Sequence, residues 1–342
     1  MANDKIAIIG TRGCGKTVLL AVLTHRFKAK TERGYQIIPD NLAAVQFTSE
    51  KWGDLTKGEW PAPTPPLTIP PIFQWKLCKG KKSKLMTTAD IAGEAWQKFI
   101  LDSVNASSLN SKTERSNWEK IKAKWADLWN NQQPPELVEE HLKTVKELLN
   151  QSSGIFLLLN LKEIINKEQD YEMAMYLPVA LANYMSSIKR QHIPVTLVLT
   201  QTDQYSFEKE KMGTWEEVVK DCIPWMPPQF KNIIPTAAVG AVKEKIIDDI
   251  VRSVPASGFP SQGLEELYEN LWDTMSKAEA KAWWKAAKHF FFIEVPILFI
   301  LWIIYVIGFI ILTCYELVWG LLFCLIGAYA FVKIANWLRS KR

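Results

Sequence analysis

The chain has 342 residues, with 41 Lys and Arg against 36 Asp and Glu and 48% hydrophobic residues. That average conceals a split: from Phe290 to Val332, 43 consecutive residues carry only two charges, Glu294 and Glu316. The distribution excludes a simple soluble enzyme, a disordered charged tail and a nucleic-acid binder driven by bulk charge.

Residues 1–289 suffice for one large domain with insertions, or for two small ones. Ile6–Ile9 is a short β-branched run that stops at Gly10, which reads as a buried strand, and Val18–Phe27 follows as a helix. Residues 30–71 read as irregular, because the prolines at 61, 63, 65, 66, 70 and 71 forbid a long helix there. Ile72–Leu77 and Leu85–Ile91 read as strands joined by the basic turn Lys79-Gly80-Lys81-Lys82, a solvated tip or a contact for acidic lipid.

From Ala95 to Asn150 the texture is helical and rich in Trp. Trp118, Ile121, Trp125, Leu128 and Trp129 share one helix face, and Val138, His141, Leu142, Val145 and Leu149 share another. The two helices either pack on each other and the sheet or offer a docking surface to a partner. Ile155–Leu161 and Val195–Thr200 are further buried strands, with a helical stretch from about Tyr171 to Lys189 between them. A short strand, Ile233–Pro235, precedes Thr236-Ala237-Ala238. Arg252–Gly263 reads as a loop and Leu264–Met275 as an amphipathic helix. Strands alternating with helices indicate an α/β layered domain with a largely parallel sheet.

Gly10-Thr-Arg-Gly-Cys-Gly-Lys16-Thr17 fits G-x-x-x-x-G-K-[ST] between a strand and a helix. Glycines let backbone N–H groups curl around phosphates, and the helix N-terminus adds partial positive charge. Gly10, Gly13, Cys14, Gly15, Lys16, Thr17 and Val18 are therefore candidate phosphate contacts. Lys16 is placed to neutralise the β- and γ-phosphates, and the Thr17 hydroxyl to ligate Mg²⁺. Asp90-Ile-Ala-Gly93-Glu94 ends an apolar strand in a D-x-x-G arrangement, with Asp90 for the Mg²⁺ shell and the Gly93 N–H for the γ-phosphate. Thr200-Gln201-Thr-Asp203 follows a strand, and a carboxylate there can accept two guanine donors that adenine lacks. Ala237 lies in a small-residue loop suited to back the base.

The four segments in this order resemble the translation-factor and Ras-like class of P-loop GTPases. The pattern is most similar to the bacterial double-GTPase group, through Gly10–Thr17, Trp60-Pro-Ala-Pro-Thr64 and Asp90–Glu94. The resemblance covers about residues 5–275 and implies a P-loop GTPase-like three-layer α/β fold with GTP or GDP and Mg²⁺ as ligands. Gln201 departs from the usual Lys, and ATP remains the alternative base partner. Glu94 stands where Ras-like enzymes place a water-orienting Gln. Arg12 either supplies charge to the transition state or points outward, and Thr64, with Thr68 second, is the candidate loop threonine for Mg²⁺ and the γ-phosphate. The candidate catalytic residues are thus Lys16, Glu94, Arg12 and Thr64, and the candidate metal ligands Thr17, Asp90 and Thr64.

A bilayer core needs about 20 apolar residues per helix. Val295–Leu312 and Leu317–Val332 give 18 and 16, with Thr313–Glu316 free to turn. Lys277, Lys281, Lys285 and Lys288 precede the first span, while Lys333, Arg339, Lys341 and Arg342 follow the second. The positive-inside rule then predicts a C-terminal α-helical transmembrane hairpin with both termini cytosolic, in a bacterial inner membrane by the family resemblance. One span plus an interfacial helix is the alternative. Five scattered cysteines, four histidines without ligand spacing and a start that runs straight into a strand fit a cytosolic domain.

The expected domains are a GTPase domain at 1–276 with a helical Trp-rich insertion at 95–150, a basic juxtamembrane helix at 277–289, two transmembrane helices within 290–333 and a basic cytosolic tail at 334–342. The expected function is a membrane-anchored GTPase that hydrolyses Mg·GTP slowly as a switch. A nucleotide-gated membrane effector and a nucleotide-binding scaffold are the alternatives. Expected partners are the lipid bilayer and a protein at the switch loops or the insertion, with oligomers possible and no nucleic acid.

Overall fold

A computed structural model describes the chain except for residues 1–3, 12, 63–69, 90, 92, 106–108, 110–111, 133–134, 168–170, 206–209, 224–225, 228–229, 231, 241, 248–249, 257–260, 290–294, 314–316 and 341–342. It divides into two compact units, Met1–Ala278 and Glu279–Arg342. The first unit opens with β1 (Asp4–Ile9), α1 (Lys16–Arg26), β2 (Tyr35–Pro39), α2 (Leu42–Thr56), β3 (Ile72–Lys79) and β4 (Lys82–Ala89). Three helices follow, α3 (Gly93–Ser103), α4 (Lys112–Gln132) and α5 (Pro135–Gln151). Then come β5 (Ser152–Asn160), α6 (Leu161–Ile165), α7 (Tyr171–Ser187), β6 (Val195–Thr200), α8 (Trp215–Cys222) and β7 (Asn232–Pro235). A hairpin, β8 (Val242–Ile247) and β9 (Ile250–Pro255), precedes the long α9 (Leu264–His289).

Seven strands form one sheet in the order β2-β3-β4-β1-β5-β6-β7. Neighbouring strands from β4 to β7 pair parallel, whereas β3 runs antiparallel between β2 and β4. All the parallel strands therefore end on one side of the sheet, where loops can converge on a ligand. Strand alternation divides the core. Ala7, Ile9, Leu157, Leu159, Leu197 and Leu199 face helices α3, α4, α5, α7 and α8. Ile6, Ile8, Phe156, Leu158 and Val198 face α1, α2 and α9. The result is the expected three-layer α/β domain, with two separate apolar cores.

The Trp-rich insertion contributes to the first core. Trp118, Ile121 and Trp125 of α4 are buried with Leu142, Val145 and Leu149 of α5. Trp118 also lies 4.8 Å, ring to ring, from Tyr176 of α7. On these residues the insertion is packing, and that face is not open to a partner.

Two elements differ from the sequence reading. Residues 30–71 are not wholly irregular, for they hold β2 and α2, the latter started by Asn41, whose side chain accepts from the Ala44 N–H at 2.9 Å. The stretch read as a loop from Arg252 instead contributes to β9, paired with β8 from Val242↔Pro255 to Ile247↔Ile250. The α2 helix also sets His25 of α1 flat against Trp52, with centroids 3.6 Å apart and planes 6° from parallel.

The α9 helix closes the second core through close contacts. A Cβ at Gly154 of β5 would fall 2.2 Å from Thr274 Cγ2, and one at Gly263 would fall 2.0 Å from the Pro235 carbonyl oxygen. Tyr268 is buried with its hydroxyl donating to the carbonyls of Gln36 and Cys78, and burial pushes its pKa up to about 12.

The second unit contains α10 (Val295–Thr313) and α11 (Leu317–Ser340). The stretch Leu322–Ser340 is long and apolar enough to cross a membrane, and Pro296–Ile307 is a shorter apolar segment. The two helices touch where the Tyr305 and Phe323 rings lie 5.6 Å apart. Large apolar side chains such as Phe299, Trp302, Leu325 and Phe331 are more than half exposed. Glu294 and Glu316 lie outside the described residues.

Gly154→Ala is expected to cost about 1–3 kcal/mol through the clash with Thr274, and Thr274→Ser in the same chain to recover most of it. Denaturant midpoints of the single and double variants test this, and absence of recovery would locate the cost elsewhere. Burial, aided by Lys28, lowers the His25 pKa below its ordinary 6.5. The stability tied to the neutral ring is therefore present above pH 6.5 and lost as pH falls through the folded value. Thermal unfolding at about pH 7.5 and about pH 5.5 should show a steeper loss for the wild type than for His25→Phe, which keeps a ring in the stack.

Candidate functional site

The segment Gly10–Gly15 joins the end of β1 to the start of α1. Gly13 and Gly15 adopt φ of 77° and 85°, in the left-handed region, and Gly15 is the N-cap of α1 without any side-chain cap. Those two left-handed residues reverse the chain between β1 and the first turn of α1, and the Cys14 N–H donates to the Thr11 carbonyl at 3.4 Å within the turn. A Cβ at either glycine would meet open space, so backbone conformation rather than crowding demands glycine there. At Gly10 crowding decides, because a Cβ would lie 2.3 Å from Cys14 Sγ and 3.0 Å from the Leu158 carbonyl oxygen.

Lys16 curls back over this loop. Its ammonium donates to the carbonyls of Gly10 at 2.7 Å and Thr11 at 2.9 Å. Burial pushes the Cys14 thiol pKa up, against the opposing pull of Lys16. A buried thiol held protonated is a poor nucleophile, so Cys14 acts as a packing residue within the loop.

Two neighbouring strands hold the loop from behind. Asn160, the last residue of β5, donates from Nδ2 to the Gly13 carbonyl at 3.3 Å while its Oδ1 accepts from the Lys162 N–H. Thr200, the last residue of β6, donates its hydroxyl to the Cys14 carbonyl at 3.1 Å. Thr200 thus stands behind the phosphate loop. Sequence reasoning missed Asn160, whose only signal is a polar residue closing the apolar run Ile155–Leu159 of β5.

The loops after β6 and β7 are tied to each other. The Thr202 N–H donates to the Thr236 carbonyl at 3.3 Å, and the Thr236 N–H to the Leu199 carbonyl at 2.7 Å. Gln201 takes φ of 59°, and Asp203 lies in the short 3-10 turn Thr202–Tyr205. Ala237 is buried and exchanges backbone hydrogen bonds with Gln262, at 3.2 Å and 2.9 Å. Gln262, just before α9, is a second residue the sequence did not single out.

The structure therefore brings Gly10, Gly13, Cys14, Gly15, Lys16, Thr17 and Val18 together with Thr200, Gln201, Asp203 and Ala237 at the strand ends. Gly93 and Glu94 begin α3, just beyond the end of the adjacent β4, and the Glu94 side chain lies outside the described residues. Arg12, Thr64, Thr68 and Asp90 lie outside them as well. Among the described residues there is no cluster of three or more His, Cys, Asp or Glu that could hold a metal by itself.

These features define a three-layer α/β domain with a glycine-rich loop between its first strand and first helix. No family model matches the chain, and no curated protein matches it in sequence. Among solved structures it is similar to Methanosarcina barkeri Roco2 RocCORdC bound to GDP, at 12% identity and a TM-score of 0.33 over 81% of this chain and 50% of that one. It is also similar to the translation elongation factor SelB from Methanococcus maripaludis in complex with the GTP analogue GppNHp, at 13% identity and a TM-score of 0.37 over 81% of this chain and 34% of that one. The chain spans half or less of those proteins. The assignment rests on its own strand order and loop geometry.

Thr200→Val leaves a buried loop carbonyl without its donor, a loss worth about 1–3 kcal/mol. The denaturant midpoint is expected to fall accordingly, with Thr200→Ser retaining the wild-type value. Denaturant unfolding of both variants measures this, and an unchanged midpoint in the valine variant would show that this clamp does not hold the loop.

Proposed function

We propose that this chain is a membrane-anchored, cytosol-facing GTPase that binds Mg·GTP and hydrolyses it slowly as a conformational switch. The single observation carrying the proposal is the shared rim. A phosphate-type loop with Lys16 folded into it sits beside a Thr-x-x-Asp turn and an Ala loop that are hydrogen-bonded to each other.

The residues fit such a ligand. The positive-φ glycines open the loop toward an anion, and Lys16 now spends its donors on two carbonyls that a phosphate oxygen would replace. Thr17, in the first turn of α1, would offer its hydroxyl to Mg²⁺, and Asp90, directly after β4, would complete the shell. The metal would neutralise phosphate charge, a role that agrees with a site needing nucleotide oxygens among its ligands. Asp203 would pair with the guanine edge and Ala237 would back the ring. Glu94 and Arg12 would act on the attacking water and the transferring charge, and Thr64 would close with its proline-rich loop on the triphosphate.

The apolar, exposed α10 and α11 are the basis for the anchor. In the proposed topology both cross the inner membrane and both chain ends face the cytosol. A protein partner would meet the switch loops.

The decisive experiment is competition of GTP against ATP on the purified chain, together with phosphate release. Lys16→Ala is expected to lower both binding and turnover by about 100-fold or more, the scale of a lost charge-assisted phosphate contact in a dry site. Asp203→Asn should selectively weaken guanine binding. Equal affinity for GTP and ATP in the wild type, or guanine binding indifferent to Asp203→Asn, would overturn the base assignment.

A further inference from the structure

The nucleotide rim occupies the end of the sheet where the parallel strands finish. At the opposite end, where they begin, basic side chains gather. The β3–β4 turn supplies Lys79, Lys81 and Lys82, and the loop after α1 supplies Lys28 and Lys30. The two segments abut, because the Gly80 N–H donates to the Gly34 carbonyl at 3.1 Å, and a Cβ at Gly34 would lie 3.8 Å from Lys30 Cε. Lys189, in the turn before β6, is exposed at the same end.

The local acids do not cancel this charge. Glu265 and Glu269 of α9 are engaged by Arg33, at 3.2 Å and 3.5 Å, and Glu32 is the remaining carboxylate in the loop. Among the described residues no carboxylate lies within ion-pair distance of Lys28, Lys30, Lys81 or Lys82. Lys79 lies over the Tyr35 ring, 5.4 Å from its centre, which fixes its stem at the patch.

The chain leaves the first unit at this same end. Along α9, Leu264 starts beside the Pro235–Thr236 rim, Trp272 takes the Lys84 ammonium over its ring at 5.2 Å, and Thr274 meets Gly154 near the start of β5. Beyond Ala278 the chain continues toward α10 and α11. We infer that the Lys28–Lys30 loop and the Lys79–Lys82 turn form a docking surface for anionic phospholipid headgroups, so that the GTPase domain rests on the bilayer with its nucleotide rim turned away. The inference rests on the membrane reading above and adds a surface and an orientation to it. Charge complementarity chooses the occupant, since each lysine at an anionic leaflet adds favourably and the attraction fades within a Debye length.

The test uses the full chain reconstituted into phosphatidylcholine vesicles, with or without about 30 mol % phosphatidylserine, and follows backbone hydrogen exchange. Exchange across residues 26–34 and 79–84 is expected to slow by about fivefold or more only with the anionic lipid. Salt at about 0.5 M should erase the difference. Lys81→Glu with Lys82→Glu should also erase it while leaving nucleotide binding unchanged, which confirms a folded domain. Equal exchange in the two vesicle types would overturn the inference, as would protection by added single-stranded RNA without protection by phosphatidylserine. A chain that does not float with pure phosphatidylcholine vesicles would instead overturn the anchor itself, so the two failures are distinguishable.

Discussion

A loop that turns its amides toward an anion must turn its carbonyls away, and buried carbonyls need donors. The site depends on meeting that demand. Asn160 and Thr200 meet it from two adjacent strands, at the carbonyls of Gly13 and Cys14. Lys16 meets it from within at Gly10 and Thr11. The first two bonds come from the ends of neighbouring strands, whereas the lysine reaches back from the first turn of α1. The loop is thus held open by its scaffold and closed over by its own cation.

The scaffold achieves this through the strand order. With β5 beside β1 and β6 beside β5, the last residues of both strands fall directly behind the loop. Alternation along the same strands sends odd and even side chains into two cores, one against the Trp-rich insertion and one against α1, α2 and α9. Position and stability therefore come from the same strands. A register slip would move apolar side chains to the wrong layer and would misplace Asn160 and Thr200 together.

Much of this was legible in the chain because it is written locally. Gly10–Thr17 is contiguous, and the apolar runs at Ile6–Ile9, Ile155–Leu161 and Val195–Thr200 are too continuous to be anything but buried strands. The α2 helix was not legible, since Leu42 and Val45 point outward at 70% and 49% exposure and blur its apolar face. The β8–β9 hairpin was hidden for a related reason, because Val242 and the following Lys-Glu-Lys are exposed and show no buried alternation. Asn160 was invisible in another way, for its role exists only once β5 lies against β1. Thr200 was read as part of the base site, and only the fold shows its hydroxyl turned toward the phosphate loop.

The joint at Gly263 has a mechanical consequence. There α9 begins against the Pro235 carbonyl, one residue after Gln262 is bonded to Ala237. The helix then runs the length of the sheet before the chain leaves the domain. Displacing α9 along its own axis would strain the contacts of Thr274, Trp272 and Tyr268 together, because all three lie on this one helix. The N-terminal end of the helix is fixed by the Ala237–Gln262 bridge, so such a displacement is also felt in the wall of the candidate base site.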